Sequence, residues 1–418
     1  MNALVLGHGR SGEAAEALLC RSGFAVTVLD GEEKFPEGDF MFAVVSPGIA
    51  LTHPWIVEAK RRGIPLKSEL QLGCGELKRL GWKLLAVTGS KGKSSVVKVV
   101  ADAINLAGMH AVACGNYGLP VSEVAVSDLN LIPRPSTSPW AVVEVSSFMM
   151  ETTELPADTF AAAAVLNLQE DHLDRHGSVE TYHGLKRKLL TMTRMPLDYS
   201  GERTWNDLVK HGLDGGDELW GCSYYVGSYF DNEILIVNGA AAASLMEVAG
   251  VDENAIRRAF REFVPLPHRM NRIATIDWIE YIDDSKATSL AALEAGVIMA
   301  SASLSASILN LNPSVRLIAG GLPKGDDPKS ALPVLTRRVK KVYLIGQSAE
   351  AFALAWKSSV DCEICGTMEA AVAAAKREAV KGDKVLLSPG TASFDQFKSF
   401  GERGDVFARL VKKERTNK

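Results

Sequence analysis

The stretch VTGSKGKSS at 87–95 constrains this chain more than any other. It follows WKLLAV, an apolar run that reads as a buried strand, and it precedes VVKVVADAINLAG, whose apolar residues recur at helical spacing before a Gly stop. Strand, glycine loop and helix start in that order make an anion cradle. In the generic phosphate loop four residues separate the first Gly from the Gly-Lys pair. Here only Ser90 and Lys91 do, so the loop is two residues short and carries an additional lysine. Its mechanics survive. Gly89 and Gly92 let backbone N–H groups turn toward a phosphate, and the helix opening near Lys93 offers its positive end, with Ser95 in the first turn. Lys93 can reach the outer phosphates, and the Ser94 hydroxyl can ligate Mg2+. The plain alternative is a Gly-rich turn with solvated lysines.

At 418 residues the chain exceeds one ordinary core, and roughly 150 residues per domain suggests about three domains. A hydrophobic share of 47% with 23% charged residues is that of a globular protein. With 46 basic against 50 acidic residues and no basic block, nucleic acid is excluded as the main partner. MNALVLGHGRSG lacks a leader pattern, and no run approaches the roughly 20 apolar residues of a membrane span. The expectation is therefore a cytoplasmic monomer without membrane insertion. Cys362 and Cys365 form the one CxxC pair, and without a second pair they read as ordinary thiols rather than a zinc site.

The order of elements gives the class: α/β, in three domains. Residues 1–81 alternate strands and helices as a Rossmann-like domain whose turn, Gly7-His8-Gly9-Arg10-Ser11-Gly12, matches GxGxxG and is followed by Asp30 at the end of the next strand. A dinucleotide is the default ligand for that pattern, though any diphosphate meets the same demand. Residues 82–266 form a central, P-loop ATPase-like domain with a mainly parallel sheet, closed by the proline-rich VPLPHR. Residues 267–418 read as a second Rossmann-like unit.

Further chemistry follows the phosphate loop. Asn116 sits in the Gly-bounded turn GNYGLP. Glu144 interrupts the apolar strand AVVEV, where a carboxylate is costly unless paired or cation-bound, which makes it a magnesium-ligand candidate. VLNLQEDHLDRHG collects Asp171, His172, Asp174, Arg175 and His176; the HxxxH spacing raises zinc, but Gly177 ends the segment at once, and a phosphate and metal wall fits better. Lys186 lies on a helix beside Lys188 and by itself reads as a surface lysine. Behind strand ends of the third domain come Asp283 to Thr288, then Lys324 in GGLPKGDD, then SPGTASFDQF; lysines and small hydroxyl residues there suit a carboxylate substrate. Together these parts suit a ligase in which ATP converts a carboxylate into an acyl phosphate for attack by an amine.

In sequence, GHGRSG, VVSPGI, VTGSKGKSS, GNYGLP, EVSSF, NLQEDHLDRHGSVETYHGLK, PLPHR, DDSKAT, GGLPKG and SPGTASFDQFKSFGERGD together resemble the Mur ligases of peptidoglycan synthesis, in their D-glutamate-adding branch. The resemblance spans nearly the whole chain. It implies an ATP-dependent, ADP-forming ligase that joins D-glutamate to UDP-N-acetylmuramoyl-L-alanine. On that resemblance Gly9, Arg10, Ser11, Asp30, Ser46, Pro47, Gly48 and Asn116 would hold the uridine diphosphate substrate in place of a dinucleotide. ATP would meet Gly89, Ser90, Lys91, Gly92, Lys93, Ser94, Ser95, Asn116, Asn238, Arg269 and Asp284. Lys93, Glu144, His172 and Lys186 would be catalytic. Two Mg2+ ions would be bound by Ser94, Glu144, His172 and Lys186, the last as a carbamylated lysine. Lys286, Thr288, Lys324, Ser393, Phe394 and Phe400 would hold the amino acid. Three departures stand out: Lys91 replaces the usual Asn, the Gly-x-His-Asn signature is reduced to Asn238, and SPGTAS replaces SPACAS. They leave an alternative, a catalytically weakened homologue that binds nucleotide-sugar in a regulatory or scaffolding role.

Overall fold

The computed structural model describes residues 1–31, 33–128, 138–201, 222–225, 228–301 and 315–413. Its front sheet contains β1 (Asn2–Leu6), β2 (Ala25–Leu29), β3 (Ala43–Val45) and β4 (Leu66–Ser68), all parallel in the order β2-β1-β3-β4. Three helices accompany it: α1 (Arg10–Arg21), α2 (Pro54–Arg61) and α3 (Glu69–Arg79). Pro54 occupies the first turn of α2, where its missing N–H is harmless, and the His53 side chain accepts from Trp55 N. The pair β4 and α3 was not anticipated from sequence. Gly73 and Gly75 break the helical reading, although Leu70, Cys74 and Leu77 keep the spacing of one buried face.

The central sheet runs β6-β7-β5-β8-β9 and is wholly parallel. Its strands are β5 (Lys83–Thr88), β6 (Ala111–Gly115), β7 (Trp140–Glu144), β8 (Ala162–Val165) and β9 (Pro196–Asp198). Every residue of β7 and β8 is buried, as expected for strands covered on both faces. The helices that matter here are α4 (Lys93–Leu106), α5 (Val121–Asp128), α6 (Ser147–Met150), α7 (Leu173–His176) and α8 (Val179–Arg187). Leu18 of α1 and Leu70 and Leu77 of α3 share one core with Leu84, Val121, Val143 and Met149. Front and central sheets accordingly belong to one compact unit, residues 1–224 with 237–260.

The second unit comprises residues 225–236 and 261–418. Its strands are β10 (Asn271–Ile276), β11 (Ile279–Asp283), β12 (Val315–Gly320), β13 (Val339–Ile345), β14 (Asp361–Gly366) and β15 (Lys384–Leu387). They pair in the order β10-β11-β15-β12-β13-β14, parallel except for β10 at one edge. The run IATIDWIEYIDD is thus a hairpin, turned by Asp277 and Trp278, both at positive φ (53° and 64°) as a two-residue turn of this hand requires. Cys362 and Cys365 lie on β14 as free thiols. Among the described residues no helix is long and apolar enough to cross a membrane. Beside the Mur ligases that the sequence resembles, the stretch between Lys186 and Asn238 looks shortened, and it falls partly on 202–221 and 226–227, outside the described residues.

Candidate active site

In the central sheet the strand order reverses at β5, whose neighbours are β7 and β8, and a parallel sheet opens a crevice beyond the carboxyl ends of such strands. The glycine loop leaves β5 at that point. Gly92 enters α4 in the left-handed region (φ 84°), no side chain caps the helix, and a methyl at Gly92 would run into Nδ2 of the buried Asn238. The main chain of Lys91 is clamped from both sides: its N–H donates to Asn167 Oδ1 at 2.8 Å, and Asn167 Nδ2 donates to its carbonyl at 2.9 Å. The Lys91 side chain is exposed, and its ammonium has no hydrogen bond or ion pair among the described residues.

Two further lysines converge on the same loop. Lys93 Nζ donates to Gly89 O at 2.8 Å and to Ser90 O at 3.1 Å, while Lys186 Nζ donates to Gly89 O at 2.8 Å. Far from being a surface lysine, Lys186 is buried. Burial, and then the neighbouring Lys93 charge, push its amine down to about 7. Burial also lowers Lys93. Tyr182, one turn before Lys186 on α8, places its hydroxyl 3.1 Å from Ser90 Oγ. Sequence reasoning missed Tyr182 and Asn167; the only signal for Tyr182 is its i, i+4 spacing to Lys186. Ser95 is half-buried in the first turn of α4.

Glu144 ends β7 with 2% of its surface exposed, and its carboxylate is satisfied on both oxygens. Ser94 Oγ donates to Oε2 and Asn116 Nδ2 to Oε1, each at 2.7 Å. A hydroxyl and a carboxylate side by side are the hard oxygen donors Mg2+ takes. Among the described residues no three His, Cys, Asp or Glu side chains cluster as a metal site. The donor set therefore fits an ion that completes its shell with phosphate oxygens and water. His172 precedes α7 at φ 51° and packs on Phe148, ring centroids 4.9 Å apart. His176 has other partners: Ser147 Oγ at 3.0 Å and Glu151 Oε1 at 3.3 Å. The HxxxH pair is thus divided between an exposed and a buried imidazole.

The front sheet reverses order at β1 and β3. Around the crevice there lie the Gly7–Gly12 turn and the loop after β3, tied together by Ser46 Oγ donating to Gly7 O at 2.7 Å. Gly9 precedes α1 and Ser11 is half-buried in its first turn. The exposed Arg10 donates to Gly118 O at 3.1 Å, reaching the GNYGLP turn that carries Asn116. Asp30 Oδ1 accepts from His8 N at 3.4 Å, and Pro47 and Gly48 continue the wall from Ser46.

In the second unit, β11, β15 and β12 are adjacent, and the loops that leave them are DDSKAT, SPGTAS and GGLPKG. Lys286 Nζ lies 4.0 Å from the Phe400 ring centroid. Ser393 is buried, Thr288 half-buried, and Lys324, Phe394 and Arg269 are exposed. Asp284 accepts from Ser388 Oγ at 2.9 Å and Met270 N at 3.2 Å, and burial raises its carboxyl to about 7. His268 Nδ1 meets Asp283 Oδ2 at 2.7 Å. The residue that joins these loops is Arg403, which is fully buried. Its guanidinium donates to Ser285 O at 2.9 Å, to Ser285 Oγ at 3.0 Å, and to the carbonyls of Thr391 and Ala392 at 3.2 Å. Nothing in the sequence distinguishes it from a surface arginine on a helix.

The family model described as "Mur ligase middle domain" matches residues 87–197. The chain is 32% identical to the UDP-N-acetylmuramoylalanine--D-glutamate ligase of Chlamydia caviae, over 98% of this chain and 97% of that one. Solved structures share the fold at low identity. The UDP-N-acetylmuramoyl-L-alanyl-D-glutamate--2,6-diaminopimelate ligase has a TM-score of 0.57 at 16% identity, covering 92% of this chain and 97% of its own. The MurF ligase of Thermotoga maritima in complex with ADP has 0.52 at 15%, covering 98% and 93%. Parallel sheets with loops at their order reversals, and a relative matched along almost its whole length, place the chain in one group: it belongs to the Mur ligases, in the D-glutamate ligase branch.

Proposed function

We propose that this chain is an ATP-dependent, ADP-forming ligase that adds D-glutamate to UDP-N-acetylmuramoyl-L-alanine. In the reaction a substrate carboxylate oxygen bonds to the terminal phosphorus of ATP as ADP leaves. The amine of D-glutamate then attacks the acyl carbon, phosphate departs and the amine loses a proton. The observation that carries this reading is the convergence of Lys93 and Lys186 on one carbonyl beside an uncapped helix start, with Ser94 and Glu144 in contact. The Lys93 ammonium and a free helix N-terminus are a preformed seat for a polyphosphate, and Lys186 stands beside them on the same carbonyl.

The proposed division of roles gives each ligand its own strand-end loops. Gly89 to Ser95 with Asn116 and Asn238 hold the ATP phosphates, and Arg269 and Asp284 also belong to the ATP set. Lys93 neutralises charge on the transferred group. Ser94, Glu144, His172 and Lys186 as a carbamate would hold two Mg2+ ions, which would neutralise phosphate charge. The low proton affinity of Lys186 suits carbamate formation, which needs the neutral amine. Gly9, Arg10, Ser11, Asp30 and Ser46 to Gly48, with Asn116, hold the uridine nucleotide. Lys286, Thr288, Lys324, Ser393, Phe394 and Phe400 receive D-glutamate. The corresponding domains are 1–81, 82–266 and 267–418, in a cytoplasmic monomer.

The test is phosphate release with ATP, Mg2+ and UDP-N-acetylmuramoyl-L-alanine, with D-glutamate present, omitted, or replaced by other amino acids. Release that depends on D-glutamate supports the assignment. Release with a different amino acid keeps the reaction and changes the substrate, and absence of release in folded protein sinks the proposal.

A further inference from the structure

Arg175 sits where three functional segments meet; the sequence reads it as part of a phosphate and metal wall, whereas its guanidinium is bonded to Glu151 and to the loop after β3. Its guanidinium is mostly buried, as is its partner Glu151, with side-chain exposures of 16% and 7%. Nε and Nη2 donate to the two Glu151 oxygens at 3.0 and 2.6 Å, a bidentate pair. The same Nη2 also donates to Ile49 O at 2.7 Å and approaches Pro47 O at 3.5 Å. Those carbonyls belong to the loop after β3, the wall of the front crevice. On the other side, Arg175 lies within α7, and its N–H bonds the carbonyl of His172 at 3.1 Å. The guanidinium also lies 5.4 Å from the Phe148 ring, which packs against His172 and follows closely on Glu144. A planar fork can grip a carboxylate and a backbone carbonyl together, which a point charge on a flexible stem does poorly.

We propose that Arg175 is a positioning residue that ties the nucleotide-sugar loop Ser46–Ile49 to the His172 turn beside the phosphate loop, so that occupancy of one crevice strengthens binding in the other. This rests on the proposed ligase function, in which the two crevices take the two substrates that react first. A loop held in place by its ligand steadies Arg175, and Arg175 in turn steadies the turn carrying His172. Linkage makes the effect reciprocal: each ligand raises the affinity of the other by the same factor.

The experiment measures, by calorimetry on the full chain, the affinity of a non-hydrolysable ATP analogue with Mg2+, without and with saturating UDP-N-acetylmuramoyl-L-alanine. In the unaltered protein the second ligand strengthens binding of the first by about five- to tenfold. In Arg175→Lys that factor falls to about one while each ligand alone binds within roughly threefold of the unaltered protein. A merely structural role would weaken each ligand alone and leave the ratio unmoved, and that result overturns the proposal. So does an unaltered protein that binds both ligands without coupling. Should Arg175→Lys fail to fold, Glu151→Gln replaces it: the amide keeps one oxygen acceptor, the coupling falls to an intermediate value, and an unchanged coupling overturns the inference. Because no turnover is read, failure of the ligase assignment shows separately, as absence of D-glutamate-dependent phosphate release.

Discussion

Lys91 adds an exposed positive charge to the phosphate loop on a backbone that Asn167 fixes from both sides. An exposed ammonium so placed attracts phosphate without filling the loop, and exposed charge pairs contribute about 0.2–1 kcal/mol. Lys91→Asn should therefore raise KM for ATP by about two- to fivefold, leave kcat nearly unchanged, and lose its effect at high salt, where surface charges are screened. Steady-state kinetics at low and high ionic strength check this; tighter ATP binding in the variant would mean that the lysine obstructs the site. Lys186 is argued from burial. Lys186→Ala should abolish turnover and, if a carbamate is the working group, recover part of it with short carboxylic acids that fill the vacated space. Phosphate release titrated with such acids reads the recovery, and a flat response would remove the carbamate. Legibility at this scale tracks cost. Glu144 stands out because a carboxylate in an apolar strand demands a reason. Asn167 and Arg403 do not, since a loop amide and a helical arginine are unremarkable until the structure shows what they hold.

Where α3 crosses α5, Glu69 is buried and its carboxylate accepts from Ser122 N at the start of α5. Burial pushes its pKa up to about 7, against the smaller downward pull of the Ser122 hydrogen bonds. The sign follows from linkage. Below about pH 4.5 Glu69 is protonated in both folded and unfolded chains; between 4.5 and 7 the unfolded chain ionises freely while the folded one does not, so stability falls as pH rises, and the full cost persists above 7. Glu69→Gln keeps the acceptor and removes the charge. Its Tm should match the unaltered protein near pH 4.5, exceed it progressively up to pH 7, and stay higher by a constant margin beyond. Scanning calorimetry across that range decides, and a uniform loss of Tm would show that the carboxylate itself is needed. The crossing also explains why α3 was illegible. A Cβ at Gly73 would collide with the α5 backbone at Val121 and Ser122, so close packing requires the glycine that hides the helix from a propensity reading. The hairpin of β10 and β11 is obscured differently, because Asp277 and Trp278 adopt positive φ without the glycine that would announce it. The parallel strands were legible because burial on both faces writes continuous apolar runs.

Each of the three sheets brings its chemistry-bearing loops to the carboxyl ends of strands where the order reverses, and this separates what the loops do from what keeps the sheets folded. In the second unit Arg316, near the amino end of β12, makes a buried pair with Asp383 at 2.6 Å and bonds Tyr343 Oη at 2.9 Å. Arg316→Met leaves that carboxylate short of its partner, and unfolding in urea should show a loss of about 3–5 kcal/mol, with KM for D-glutamate unchanged in the folded fraction. A change in that KM with stability intact would place Arg316 in the substrate site instead. The same separation applies between crevices in the first unit. The proposed uridine-nucleotide contacts come from loops after β1, β2 and β3 and from Asn116 after β6, whereas Lys93 opens α4 and, among the described residues, its ammonium bonds only Gly89 and Ser90 of the phosphate loop. Removing its ammonium deletes charge stabilisation at the transferred phosphate and touches nothing that shapes the front crevice. Lys93→Ala should therefore abolish ATP-dependent phosphate release while uridine-nucleotide affinity, measured without ATP so that any coupling through Arg175 is silent, stays within about twofold. Equal loss of both would show that the two crevices are one site, and the assignment of separate strand-end loops to separate substrates would have to be abandoned.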